Sequence, residues 1–357
     1  DEIDETFQSL YTVISTNDNK FKDINFNNIK NNDLIFLYSA MARIAEIPLN
    51  ENFLKVDPKN LSIPIILNIS TSIDLRIKAA NESFFNNQIS VESLAALYQS
   101  VDFISDQFNN QEETILSLSD RYEVMMAYYF QLINIQIFPS ERLEALIKFW
   151  NFSKNHNLEE IAYALTNKIV DSIEISSENI NYSSAIATSY IYNKDYEKAL
   201  SWIIAFENSN ITDEKISYVK ILLNLQSTND INDFINLIKI NLSELTDINK
   251  KENEELIYIL LNILENKDDS NLKDDFNSIY DDRPMPSIFI SEKINAAINT
   301  ETDSEFLIYS TISLNNKNWN QIHPLHLKLL LSGFLNYSNG DFIKSIIIEI
   351  FKDYKII

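Results

Sequence analysis

Residues 158–169 read LEEIAYALTNKI, and Leu158, Ile161, Ala162, Leu165 and Ile169 fall on one stripe. Apolar residues three and four apart mark a helix that buries one face, because a helical turn takes 3.6 residues. Upstream, Ile115, Leu118, Tyr122, Met125, Tyr129 and Leu132 trace the stripe of the preceding helix. Each stripe needs a partner, and the period holds from about Ser70 onward. Breaks recur at Asn86-Asn87, Phe138-Pro139-Ser140, Asn155-His156-Asn157, Ser176-Ser177, Asn193-Lys194, Asn208 to Thr212 and Ser227 to Asp230. Ser140, Thr212 and Asp230 stand where side-chain oxygens would accept from the free amides of a new helix. Helices of about 12 to 18 residues joined by short loops imply antiparallel neighbours, hence stacked helical hairpins.

Composition points the same way by what it lacks. The 357 residues include only two glycines, Gly333 and Gly340. Sheets with tight hairpins, phosphate loops, nucleophile elbows and dinucleotide fingerprints all lean on glycine for positive φ or close backbone approach. An all-α chain remains. It is 45% hydrophobic, with 17 Tyr and 21 Phe, enough for a packed core.

There is no cysteine, which removes disulfides, thiolate nucleophiles and sulfur-ligated metals. The net charge of −23 repels phosphate backbones and anionic headgroups, so no nucleic acid and no membrane surface is expected as partner. Basic residues form no run, and only five are arginine: Arg43, Arg76, Arg121, Arg142 and Arg283. The crowding of Asn, Ile and Lys reads as codon bias of an AT-rich genome, which also strips meaning from sequons such as the one at Asn151. No apolar stretch approaches the roughly 20 residues that span a bilayer, so no membrane insertion is expected. The chain starts at Asp1 without a methionine, which suits a mature protein whose signal peptide has been removed or a trimmed chain. Export to a bacterial periplasm or envelope is the expectation over the cytoplasm.

Three segments are expected. Residues 1–69 form an irregular helical cap, with helices near Ile3 to Ile14 and Asp33 to Ala45, then an extended stretch where Pro48, Pro58 and Pro64 remove backbone donors. Residues 70–280 are the helical-hairpin region, interrupted by the charged run ENKDDSNLKDD at 265–275. Residues 281–357 follow the turn Pro284-Met285-Pro286, with helices near Ser287 to Asn299, Asp303 to Asn315, Pro324 to Tyr337 and Asp341 to Tyr354. They are read as continuing the array.

The segment Ile186 to Phe206, IATSYIYNKDYEKALSWIIAF, resembles a tetratricopeptide repeat: small Ala187, Tyr190 three residues on, then Tyr196 and Ala199 in DYEKAL. A small residue on the first helix lets its neighbour approach while aromatic rings fill the space between turns. Leu330 to Ile350 echoes the spacing, with Gly333 in the place of Ala187 and Ser345 in the place of Ala199. Ser183 stands where the family often has Trp, Phe206 where it has a small residue, and Asn336 where it has an aromatic. The resemblance implies a right-handed superhelix of antiparallel helix pairs, a TPR-like α-solenoid, and through it a non-catalytic scaffold that holds a protein or peptide on its concave face.

Candidate chemistry is sparse. His323 and His326 lie three apart at a helix start, a spacing that can put two imidazoles on one face for a metal, but His-Pro is also an ordinary helix entry and no metal is expected. His156, between two asparagines, reads as solvated. The pairs Asp268-Asp269, Asp274-Asp275 and Asp281-Asp282 lack the glycine and ligand order of a calcium loop. Trp150, Trp202 and Trp319 would bind a peptide or stack on a sugar if exposed, and fill the core otherwise, as glycine-poor and alanine-poor packing requires. The alternative function is an all-α enzyme, a lyase or glycoside hydrolase with a carboxylate-lined hollow; a purely structural envelope component is a third. No cofactor is expected, no catalytic residue stands out, and the partner should be basic or neutral with association that weakens in salt.

Overall fold

The computed structural model describes residues 5–16, 24, 26, 29, 32–213, 215–227, 259, 282–315, 317–335 and 340–354. Among them every regular element is helical, and the chain divides into two compact units, residues 1–173 and 174–357. The charged run at 265–275, the pairs Asp268-Asp269 and Asp274-Asp275, Asp230, Asp281 and Asn336 lie outside the described residues.

The first unit begins with α1 (Glu5–Thr16) packed on α2 (Ile35–Ile44). Residues 47–50 are extended around Pro48, and buried side chains supply their missing partners: Asn68 Nδ2 donates to the Ile47 carbonyl at 2.8 Å, and the Leu49 amide donates to Thr71 Oγ1 at 2.9 Å. The next two prolines do not extend the chain. They lie in two short helices, α3 (Glu51–Val56) and α4 (Pro58–Leu67). Pro58 takes the first helical position, where its missing N–H costs nothing, behind the Asp57 carboxylate that accepts from the Asn60 amide at 3.1 Å. Pro64 interrupts a single bond of a ten-residue helix. The full burial of Leu61 and Ile65 on either side, at about 1.5–3 kcal/mol each, offsets the roughly 3 kcal/mol that an internal proline costs.

After α4 come α5 (Ile73–Phe85), α6 (Val91–Gln99), and the short α7 (Ser105–Asn109) and α8 (Gln111–Ser117). Next, α9 (Tyr122–Ile135), α10 (Pro139–Asn155) and α11 (Glu159–Val170) close the unit. The stripe from Ile115 to Leu132 is thus carried by two helices. The chain turns at 118–121, where Arg121 leaves the helix to form a bidentate pair with Asp74 of α5, 2.8 and 2.7 Å. That guanidinium holds the Asp74 carboxyl below its usual range. α9 is apolar on all sides and every residue from Glu123 to Ile133 is buried, with α5, α6 and α10 packed around it. Its one amide in the middle, Gln131, donates to the Tyr98 and Val101 carbonyls at the end of α6, both at 2.8 Å. Those are carbonyls a helix end leaves unpaired.

The second unit opens with a 3-10 turn (Ile180–Tyr182), then α12 (Ser183–Tyr192), α13 (Tyr196–Glu207) and α14 (Lys215–Ser227). α12 packs on both α13 and α14, and α13 on α14. Its later helices are α15 (Ile288–Asn299), α16 (Asp303–Leu314), α17 (Pro324–Leu335) and α18 (Gly340–Asp353). Their bounds match the four expected segments to within two residues at every end. Residues 284–286 are non-helical, and Ser287 caps α15 behind them.

Two of the three expected caps are not the residues that do the work. Ser140 lies inside α10, which starts at Pro139, and Asp213 rather than Thr212 accepts from the Lys215 amide at 3.0 Å. Asp230 is the one outside the described residues. Among the described residues, the side chains that cap include Asn50, Asp57, Ser90, Asp195, Asp213 and Ser287.

Helix exits are more uniform than entries. Glu46, Asn87, Asn157, Lys194 and Glu301 are left-handed, with φ between 53° and 63°. Each donates to the carbonyl three residues back, while the following residue donates to the carbonyl five back: Ile47 to Ala42, Gln88 to Ser83, Leu158 to Ser153, Asp195 to Tyr190, Thr302 to Ala297. This is the Schellman closure that most proteins build with glycine. Here neither glycine serves it. Three helix pairs share one three-residue connection of this kind, 156–158 between α10 and α11, 193–195 between α12 and α13, and 300–302 between α15 and α16. The members of each pair pack on one another.

Candidate functional site

The three tryptophans are core. Trp150 is buried and donates from Nε1 to Thr166 Oγ1 at 3.0 Å; Trp202 is buried on α13; Trp319 packs edge-on to Phe334 with ring centroids 6.2 Å apart. None faces solvent to receive a peptide or a sugar.

The histidines have structural partners. His323 is buried, and its Nδ1 accepts from the Leu325 amide at 3.1 Å, capping the first turn of α17 where Pro324 has no N–H to offer. His326 is also buried, and its Nε2 lies 2.9 Å from Ser313 Oγ of α16. One nitrogen of each ring is thereby committed, and no group of three His, Asp or Glu side chains comes together for a metal among the described residues. Burial, with Lys317 and His323 nearby, depresses the His326 pKa to about 4. His156 is exposed yet not merely solvated: its ring lies parallel to Tyr122 at 5.0 Å and tilted against Phe152 at 4.6 Å. Tyr122 itself is pushed up to about 12, by burial first and then by Glu123.

In the first TPR-like stretch, Ala187, Tyr190 and Ala199 are buried and Tyr196 half-buried. The atypical residues are accommodated: Ser183 is buried with its hydroxyl donating to the Ile180 carbonyl at 2.7 Å, and Phe206 is buried at the end of α13. What remains open on α12 is a single stripe. Ala185, Thr188 and Tyr192, spaced three and four apart, are half-buried, while Ser183, Ser184, Ile186, Ala187, Ser189, Tyr190 and Ile191 are buried. Sequence reading missed this stripe. Its signal was present as small and polar residues recurring at helical spacing between apolar ones, but the same pattern occurs on any helix.

The second stretch differs. A Cβ on Gly333 would fall inside contact distance of three atoms of the Phe306 ring, so this glycine admits a side chain from α16, the helix before it. Phe306 in turn meets Phe334 edge-on at 5.0 Å. Ser345, in the place of buried Ala199, is exposed.

No helix among the described residues is long and apolar enough to cross a membrane. Compared with protein-family models, with curated proteins and with solved structures, the chain matches none.

Proposed function

We propose that this protein is a non-catalytic scaffold that binds a protein or peptide segment, its helix pairs stacked in the right-handed, TPR-like manner and its partner held on the concave face. The observation that carries this reading is α12: a helix packed on two neighbours that leaves one half-open stripe, Ala185, Thr188 and Tyr192. A stripe of small and hydroxyl-bearing side chains lets an extended peptide come close, and Tyr supplies contact area at low entropy cost. The shared connection in three helix pairs supports the repeat reading. With a net charge of −23, the favoured partner is basic or neutral.

The test is affinity capture by the intact chain, at low and high salt, against Thr188→Arg and Tyr192→Ala variants whose helicity matches wild type. Saturable binding of a protein or peptide that salt weakens, and that either substitution cuts at least tenfold, supports the reading. Capture that is blank, or the same in all three proteins, overturns it.

A further inference from the structure

We propose that the packing of α17 on α16 is an acid-sensitive joint, held closed by a neutral His326 and opened when that imidazole takes a second proton. His326 is 1% exposed. Its Nε2 meets Ser313 Oγ at 2.9 Å, and Ser313 Oγ is also 2.7 Å from the Ser310 carbonyl, to which its hydroxyl donates. The hydroxyl proton is thus used, and the ring nitrogen is the donor in the His326–Ser313 bond. Nδ1 then keeps a buried lone pair with no hydrogen-bond partner. The opposite tautomer changes nothing essential, since an imidazolium has two N–H donors and this site supplies one acceptor.

The charged surroundings reinforce the geometry. The titratable groups that act on His326 are Lys317, in the turn after α16, and His323, one turn earlier in its own segment. Both add positive charge when protonated. The unfolded or opened chain takes up a proton near the ordinary 6.5, whereas the closed site resists until about pH 4. Between those values the open form binds more protons than the closed form, so closure weakens as pH falls, about tenfold per pH unit for one proton. Above 6.5 both forms are neutral and the dependence vanishes. The same interface holds the Phe306–Phe334 and Trp319–Phe334 contacts and the Gly333 approach, so opening at His326 removes the packing that unites these helices.

Amide hydrogen exchange of the intact chain from pH 7 to pH 4.5, corrected for intrinsic rates, tests this. Protection in residues 303–335 should fall about tenfold per unit below 6.5 in wild type. His326→Gln keeps a polar atom near Ser313 but cannot titrate, and should abolish that slope; a slope equal to wild type overturns the proposal. Should the variant not fold, NMR titration of the His326 ring in wild type decides: resistance to protonation well below 6.5 upholds the joint, and ordinary titration near 6.5 overturns it.

Discussion

Residues 186–206 and 330–350 carry the same spacing of small and aromatic residues and put it to different structural uses. In the first, Ala187 and Ala199 are both buried, on α12 and α13, with three residues connecting the helices. In the second, Gly333 is shaped around the Phe306 ring of α16 and Ser345 is exposed. A spacing motif therefore specifies that a small residue is needed on a helix face. It does not specify which neighbour arrives there; at Gly333 it is a ring of the preceding helix.

Substitutions can break that contrast. The largest effect is expected from Trp202→Ala in the first stretch, a loss of about 3–5 kcal/mol because a fully packed indole leaves a cavity. Urea unfolding read by hydrogen exchange over 183–207 would measure it, and a loss under 1 kcal/mol would mean that the site collapses freely.

Gly333→Ala comes next. Helix propensity favours alanine by about 1 kcal/mol, but displacing the buried Phe306 ring costs about 1–3 kcal/mol, so net destabilisation is expected. The double variant with Phe306→Leu should cost less than the two single changes added, which a thermodynamic cycle reports. The mirror change Ala187→Gly should cost about 1 kcal/mol through propensity, with no coupling to Phe306.

Asp195→Ala removes the carboxylate that accepts from the Lys198 amide at 3.3 Å and should cost about 1 kcal/mol in thermal unfolding. The smallest effect has the opposite sign. Lys194→Gly should stabilise by up to about 1 kcal/mol, since a left-handed Lys at φ 63° is strained where glycine is not. Asn157→Gly should give less, because Asn tolerates that conformation. Equal gains at both positions would show that side-chain type at these exits is irrelevant.

Much of the fold was legible. The 3.6 period exposed α11, the segments expected after Pro286 are helices, and the breaks at Asn86-Asn87, Asn155 to Asn157 and Asn193-Lys194 are real exits; α10, which lies between the two quoted stripes, was marked only by the breaks at either end. Reading failed where packing outweighed local preference. Pro64 sits inside α4 because Leu61 and Ile65 bury fully, and the long stripe through Leu118 divides because Arg121 turns away to Asp74. For the candidate site, the tryptophans and histidines were visible as residue types, but not which nitrogens were already occupied. The Ala185–Thr188–Tyr192 stripe was invisible until neighbours covered the rest of α12.

The sequence by itself determined an all-α protein with an acidic character, since near-absence of glycine and persistent helical periodicity are local properties that need no knowledge of contacts. How its helices close without glycine was decided only by the tertiary structure. Glu46, Lys194 and Glu301 adopt left-handed conformations because two backbone bonds and the packing of the following helix outweigh the cost of a Cβ there, an energy that no single residue carries in its own propensity.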